Sequence, residues 1–338
     1  MKKIFLLTAL AVLLGVATAT AQQIAVVSEG GETTVFTTLQ AAIEGAAPGS
    51  VIYLPGGSFS IADSVRITKR LTIIGIGHRS DNDNVDAKTW VAGNLWFSEG
   101  SSGSAVMACY ITGNVNIGEG DASVNNVLVK FCNLNSVQVL NNTCTNTYIN
   151  QNYIRDQSVF NESVAIITNN VMHSIKGVNS GQIYNNLILG YGFVSSYASW
   201  HYDYSNIHAN YSSIHNNVLT GYTHSPGSSY YHVIMGTDNT IFSNICPEDV
   251  GDATFIFSDV DWNDVFEEWN GGAIDPMSDF NFTEAYQQYH NIGIYGGTGF
   301  NDHQTAPVPY IVAKRIDQET DAAGQLKIQV RVKAGAGE

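Results

Sequence analysis

The feature that most constrains the fold of this chain is a short phrase that recurs between residues 129 and 246. It consists of an aliphatic residue, two variable residues and an Asn, as in Ile149-Asn150-Gln151-Asn152. The closing Asn residues are Asn133, Asn152, Asn170, Asn186, Asn217 and Asn244, spaced by 19, 18, 16, 31 and 27 residues. A short period with variable insertions is typical of stacked repeats, and a unit of about 16 to 23 residues is too short for paired helices. The phrase therefore predicts the coils of a parallel β-helix.

The recurring Asn has two physical reasons to lie at a bend between strands. It tolerates the left-handed backbone conformation that most residues resist. Its amide can also hydrogen-bond to like amides in the coils above and below. We therefore expect Asn133, Asn152, Asn170 and Asn186 to line up along one edge of the solenoid.

The N-terminus has the organisation of a secretory signal peptide. Lys2 and Lys3 precede a short apolar run, and Ala19-Thr20-Ala21 is a typical cleavage sequence. We expect residues 1–21 to be removed on export to the periplasm, cell surface or medium. No later stretch is apolar for long enough to predict a transmembrane span.

The charge distribution narrows the class of ligand. The chain has 15 basic and 30 acidic residues, and its net charge is −15. Between residues 89 and 313 only Lys130, Arg155 and Lys176 are cationic. This composition excludes nucleic acid, which needs clustered basic residues. It leaves neutral or weakly charged sugars, or a uronate bridged to the protein by Ca²⁺.

The four cysteines are compatible with two interpretations. Cys109 and Cys132 are 23 residues apart, about one coil, and each follows a Val by three residues. They could be stacked interior thiols or, in an exported protein, a disulfide, since neighbouring coils lie about 4.8 Å apart. Their spacing argues against a metal site.

Two further elements can be read from periodicity. Thr37 or Thr38 begins a short helix whose apolar face is Leu39, Ala42, Ile43 and Ala46, and Pro48-Gly49 ends it. Near the C-terminus, apolar residues alternate with polar ones from 326 to 333, which predicts a strand paired with 310–316.

The run TLQAAIEGAAPGSVIYLPGGSFSIADSVRITKRLTIIGIG, from residue 38, resembles the N-terminal cap and first coil of the pectin lyase-like superfamily. The phrase at 292–297 is similar to the closing motif of many secreted bacterial β-helix proteins. The resemblance implies an all-β, right-handed parallel β-helix with a short N-terminal capping helix and a C-terminal β-hairpin. The expected organisation is a signal peptide (1–21), a β-helix with an irregular acidic closing segment (22–303) and a strand pair (304–338).

The resemblance implies a polysaccharide lyase or glycoside hydrolase, but the known catalytic motifs are missing. The coils lack the Arg-rich motif of pectate lyases and the Asn-Thr-Asp and Gly-His-Gly motifs of polygalacturonases. Arg155 and Lys176 are 21 residues apart, about one coil, which resembles the Lys and Arg pair of chondroitinase B-like and alginate lyases. They could therefore be catalytic neighbours, or simply two solvated turn residues.

The stretch 190–233 interrupts the phrase and is rich in Tyr and His. His201 and Asp203 could supply a catalytic base and an orienting carboxylate. Aromatic rings stack on sugars while His takes their hydroxyl groups. The candidate sugar-binding residues are Tyr197, Trp200, Tyr202, Tyr204, Tyr231 and His232. The alternative is an aromatic insertion that packs on the coils.

The stretch 248–284 holds eleven acidic residues and no cation. Asp259, Asp261 and Asn263 alternate as Ca²⁺ ligands do, but the Gly and Glu of an EF-type loop are missing. A capped helix start is the alternative, so Ca²⁺ stays a candidate ligand and no metal site is assigned.

Two functions follow from the sequence. One is a secreted protein that binds or processes a polysaccharide. The other is a non-catalytic structural or adhesive β-helix protein at the cell surface.

Overall fold

The computed structural model describes residues 23–78, 88–190, 205–221, 233–258, 260–269, 274, 278–301, 310–316 and 328–333. The predicted signal peptide lies outside them. Within these ranges the chain is mostly β and forms large parallel sheets with many strands, which confirms the all-β class and is consistent with a parallel β-helix-like fold.

One sheet contains eleven of the described strands. In spatial order they are β2 (Thr33–Phe36), β1 (Ile24–Val27), β3 (Val51–Tyr53), β5 (Thr72–Ile74), β7 (Ala105–Met107), β10 (Leu128–Lys130), β13 (Thr147–Asn150), β16 (Ala165–Thr168), β19 (Gln182–Tyr184), β22 (Ser213–His215) and β25 (Thr240–Phe242). The pairs β1–β2 and β1–β3 are antiparallel, and the other described pairings in this sheet are parallel.

A second sheet has two limbs that meet at the long strands β4 (Gly57–Ile67) and β6 (Thr89–Phe97). The first limb continues from β6 through β8 (Tyr110–Ile111), β11 (Asn133–Leu134), β14 (Tyr153–Ile154), β17 (Val171–Met172), β20 (Leu187–Ile188), β23 (Val218–Leu219), β26 (Ile245–Cys246) and β27 (Phe255–Ile256). The second limb continues through β9 (Val115–Ile117), β12 (Val137–Val139), β15 (Ser158–Ser163), β18 (Ile175–Asn179), β21 (Ile207–Asn210) and β24 (Ile234–Met235).

The core is built from residues that stack in register between coils. In the eleven-stranded sheet Val129, Ile149, Ile167, Ile183 and Ile214 pair one after another, and all are fully buried. Side chains alternate between the two faces of a strand, and the aliphatic residue of each copy of the phrase points inward. The aliphatic residue of the phrase is therefore the core residue of its coil.

The Asn ladder exists, but its register differs from the prediction at its N-terminal end. The rungs are Asn152, Asn170, Asn186, Asn217 and Asn244, all fully buried. The side-chain oxygen of each rung from Asn170 onward accepts the backbone N–H of the rung before it, at 2.9–3.0 Å. Placing Asn133 in the ladder was wrong by one residue: Cys132 occupies that rung, and its N–H donates to Asn152 Oδ1 at 2.9 Å.

The left-handed backbone position is also displaced by one residue. It belongs to the residue before each rung, with φ of 55° at Gln151, 53° at Asn169, 55° at Asn185 and 55° at Asn216. The turn residue bends the chain, and the rung residue then points inward and bonds between coils. The sequence predicted that one Asn would both bend the chain and bond between coils. In the structure two consecutive residues divide these roles.

The helices confirm the caps expected from the sequence. Helix α1 (Leu39–Gly45) begins at Thr38, whose hydroxyl accepts the N–H of Ala41 at 3.2 Å. Helix α2 (Trp262–Val265) begins at Asp261, and a 3₁₀ helix spans Glu284–Tyr289. None of the helices in the described ranges is long and apolar enough to cross a membrane. The pair β28 (Tyr310–Ile316) and β29 (Ile328–Lys333) is antiparallel, as predicted.

The described residues of 255–301, which we call the C-terminal segment, lie along the outer face of the first limb. Its apolar side chains form one buried cluster with the outward residues of that limb, Tyr153, Val171, Leu187, Val218 and Ile245. Gly293 N donates to Asn216 O at 2.8 Å, and Asn301 N donates to Gln151 Oε1 at 2.7 Å. The C-terminal segment therefore starts at the last coil and runs back along the earlier coils.

Candidate functional site

The outer face of the second limb carries a continuous row of side chains. One residue from each strand lies in register with the next, and we call this set the outer row: Arg66, Trp96, Asn116, Gln138, Val159, Lys176, His208 and Met235. Residues on either side of the row, such as Val115 and Ile207, belong to the buried core. Since successive side chains point to opposite faces, the row faces away from the core.

The first part of the outer row is aromatic and amide-rich. The Arg66 guanidinium lies 5.8 Å from the centroid of the Trp96 ring. Arg66 also forms an exposed ion pair with Glu119 at 2.6 Å, and this carboxylate raises the pKa of the arginine. Asn116 and Gln138 follow in register. Asn116 is only 6% exposed. Gln138 Nε2 donates to Ser136 Oγ at 2.8 Å and to Gln157 O at 3.2 Å, so Gln138 Oε1 is the amide atom suited to accept from a sugar hydroxyl group.

The later part of the outer row contains the groups best suited to proton transfer. Lys176 and His208 are direct register partners on neighbouring strands. His208 Nδ1 is buried and has no hydrogen-bond partner among the described residues. Glu162 Oε2 accepts from Asn179 Nδ2 at 3.4 Å and from Asn210 Nδ2 at 3.3 Å. These two Asn residues follow Lys176 and His208 on the same strands.

A strained bulge carries Glu162. Asn161 and Glu162 have φ of 44° and 60°, a region that non-glycine residues rarely adopt, and the register shifts between Val159 and Ser163. The next strand shifts at Gly177, where a Cβ would lie 3.2 Å from Asn161 N. The bulge differs from the bends before the rungs because two consecutive residues within a strand have positive φ.

Eight of the sequence-predicted site residues lie outside the described residues: Tyr197, Trp200, His201, Tyr202, Asp203, Tyr204, Tyr231 and His232. The described chain resumes at Ser205, just before the strand that carries His208, and at Val233, just before the strand that carries Met235.

The structure does not bring Arg155 and Lys176 together, so the predicted pair is corrected. Ile154 pairs with Met172, which places His173 rather than Lys176 one coil beyond Arg155. Lys176 lies on the second limb, where its partners are Val159 and His208. The 21-residue spacing predicted the wrong pair because it was taken as the length of one coil, and this coil has a different length.

Arg155 instead belongs to a cationic and aromatic cluster on the first limb. Its guanidinium lies 4.8 Å from the Tyr110 ring centroid and donates to the Tyr110 hydroxyl. Lys88 Nζ lies 4.6 Å from the same centroid and 4.5 Å from that of Trp90. Trp90 and Tyr110 are register partners with ring centroids 4.6 Å apart. Sequence reasoning missed this cluster, although the 20-residue spacing of the two rings was a usable signal.

A third feature is an aromatic stack on the eleven-stranded sheet. The Tyr184 and His215 rings are 5.2 Å apart and nearly parallel, and His215 and Phe242 are 4.6 Å apart. Partial burial lowers the pKa of His215, because it disfavours the charged imidazolium. The three residues each follow the aliphatic residue in three copies of the phrase. The sequence therefore contained the information needed to predict this aromatic stack.

The acidic candidates for Ca²⁺ binding are only partly described by the structure. No group of three or more His, Cys, Asp or Glu residues that could hold an ion occurs in the described ranges. Asp261 caps α2 by accepting from Asn263 N at 2.9 Å, and these bonds lower its pKa. Asp259, the first residue of the predicted Ca²⁺ triplet, lies outside the described residues.

Comparison of the chain with family models, curated proteins and solved structures gives no match in any of the three.

Proposed function

We propose that this chain is an exported, right-handed parallel β-helix protein of the pectin lyase-like type that binds a polysaccharide along the outer row. The observation that carries the proposal is the unbroken register of Trp96, Asn116, Gln138, Lys176 and His208 on one limb. A parallel sheet repeats its side chains about every 4.8 Å, so such a row offers regularly spaced contacts to an extended polymer. Rigid elements also position a site more precisely than loops do.

The preferred polymer is neutral or weakly charged. The net charge of −15 repels polyanions, and the outer row contributes amide, imidazole and indole groups together with two cations. Trp96 supplies a ring for stacking on a pyranose, and the Gln138 amide supplies a hydrogen bond to one of its hydroxyl groups. Trp200 and Tyr202 stay sequence-based candidates for stacking on a sugar ring.

If the protein is an enzyme, Lys176 and His208 are the residues we assign to proton transfer. Histidine is the side chain most often used for general acid and base catalysis, and lysine can also abstract a proton. Glycoside hydrolysis usually needs two carboxyl groups. Glu162 is the carboxylate that the described contacts associate with this site, and two amides hold it. This favours binding, or lyase-type proton abstraction, over hydrolysis.

The test begins with a glycan array probed with the mature protein, followed by calorimetric titration of the strongest ligand. Gln138→Ala combined with His208→Ala should weaken binding by about tenfold or more, since each lost contact is worth roughly 1 kcal/mol. Tyr148→Ala is the matched control, because this exposed residue lies on the eleven-stranded sheet. Equal affinities for the double variant and the parent would overturn the assignment.

Catalysis is tested on the same ligand. A lyase would release a product with an unsaturated ring, detected by ultraviolet absorbance, and a hydrolase would release reducing ends without it. His208→Ala should abolish either signal. Binding with neither product would identify a non-catalytic, adhesive or structural protein.

A further inference from the structure

We propose that Lys88, Tyr110 and Arg155 form a second binding site, which takes the carboxylate or sulfate group of an acidic sugar. The site lies on the first limb, whereas the outer row lies on the second. It goes beyond the proposed function, because it recognises charge where the outer row recognises a neutral polymer.

Two cations share one aromatic ring at this site. Lys88 Nζ and Arg155 Cζ lie 4.6 Å and 4.8 Å from the Tyr110 ring centroid. Cation–π attraction holds each of them there, but like charges close to each other repel. A bound anion would remove that repulsion.

Neither cation has an acidic partner within the described ranges. The ion pairs found there are Arg66–Glu119 and Arg70–Glu29. In a chain with 30 acidic and 15 basic residues, acidic partners are abundant. Lys88 and Arg155 take part in neither of these ion pairs. Their position on one ring therefore points to a ligand that supplies the negative charge.

The hydrogen bonds of Arg155 fix its guanidinium and leave donors for a ligand. It donates to the Tyr110 hydroxyl and, through Nη2, to Ile111 O at 2.9 Å and Thr112 O at 3.3 Å. An arginine has five N–H donors, and a lysine has three. Charge-assisted bonds from such groups to a carboxylate or sulfate are about twice as strong as neutral ones.

The experiment is calorimetric titration of the mature protein with D-glucuronate, with D-glucose, and with inorganic sulfate as a competitor. We expect glucuronate to bind and glucose not to bind, sulfate to displace glucuronate, and the affinity to fall as NaCl is added. Lys88→Met should weaken glucuronate binding by about tenfold, as expected for one lost charge-assisted bond.

Lys130→Met is the matched control, because Lys130 also lies over a ring, at 4.6 Å from the Phe131 centroid, but in the eleven-stranded sheet. It should bind glucuronate as the parent does. Equal binding of glucose, or parental affinity in folded Lys88→Met, would overturn the proposal. The Gln138 and His208 variants should leave glucuronate binding intact, so failure of this site and failure of the outer row are distinguishable.

Discussion

At the scale of single residues, the ladder shows how a thiol replaces an amide. Cys132 Sγ lies 3.3 Å from Lys130 O and 3.8 Å from Val106 O. Asn152 Nδ2 makes the equivalent bonds to Asn150 O and Val129 O at 3.0 Å and 2.9 Å. A thiol is a smaller group and a weaker hydrogen-bond donor than an amide. The stability of a cysteine rung therefore depends more on burial of the side chain. All four cysteines are free, which favours the stacked-thiol interpretation over the disulfide.

The first prediction concerns a central rung. Asn170→Leu should lower the free energy of unfolding by roughly 2–4 kcal/mol, because the side chain bonds to Ile149 O, Thr168 O and Asn186 Oδ1 and accepts from Asn152 N. Urea denaturation followed by circular dichroism measures the change. Asn142→Leu is the control, since Asn142 is exposed and should change stability by less than about 0.5 kcal/mol. Similar losses in both variants would mean that the ladder is not stabilising.

The second prediction follows from the buried thiols. Burial raises the pKa of Cys132 from 9.0 to about 12, because the thiolate is poorly solvated in the core. Above pH 9.0 the unfolded chain loses this proton and the folded chain keeps it, so stability is full below pH 9.0 and falls as pH rises towards 12. Between pH 8 and pH 10 the parent should lose about 1.4 kcal/mol more than Cys132→Ala does. Denaturation at the two pH values measures the difference, and identical pH dependence of the two proteins would contradict it.

At the scale of elements, the C-terminal segment pairs with the sheet only at its start, where β27 pairs with β26, and its later described residues are attached by side-chain contacts and a few hydrogen bonds. Asn169 Nδ2 donates to Ile294 O at 2.7 Å and to Gly296 O at 2.8 Å. Asn169 is the left-handed turn residue before a rung, so the turn that bends the coil also anchors the segment. Most of the remaining attachment is apolar packing against the outward residues of the first limb. The predicted closing segment thus covers a side of the coils.

The third prediction tests this attachment. Phe266 is 2% exposed and packs on Trp262, Trp269 and Phe282 with centroid distances of 5.8, 5.6 and 5.3 Å. Phe266→Ala should destabilise the segment by about 3–4 kcal/mol. Hydrogen exchange should then accelerate at the protected amides of 262–294 while the amides of the Asn ladder stay protected, because local unfolding follows weakly coupled units. Tyr211→Ala, at an exposed residue, is the control. Uniform acceleration through the coils would show that segment and coils unfold together.

At the scale of the whole molecule, charge is the dominant global property. The net charge of −15 destabilises the compact state by self-repulsion, and the stretch 248–284 contributes eleven negative charges. Added salt screens this repulsion beyond about 10 Å at 0.1 M ionic strength. We expect the acidic stretch to stay solvated, so that screening rather than chelation governs the response to cations.

The fourth prediction is that the melting temperature rises with NaCl and rises equally with CaCl₂ at the same ionic strength. Scanning calorimetry of the mature protein measures both series. An additional stabilisation specific to Ca²⁺, removed by Asp259→Ala with Asp261→Ala, would instead place a Ca²⁺ site in the acidic stretch.

The sequence by itself determined the all-β class, the stacking of the aliphatic residues, the α1 cap at Thr38 and the pairing of β28 with β29. These follow from local periodicity and from residues that act within one turn or one strand. It located the ladder from Asn152 onward for the same reason.

Tertiary structure alone decided which side chains from different coils meet. The rungs are between 16 and 31 residues apart, so a separation in sequence does not reveal a position around the coil. Arg155 and Lys176 were therefore paired wrongly, whereas Arg155 and Tyr110, 45 residues apart, are in contact. The outer row and the Tyr110 cluster depend on the register between strands, which the lengths of the intervening turns set and which no single coil encodes.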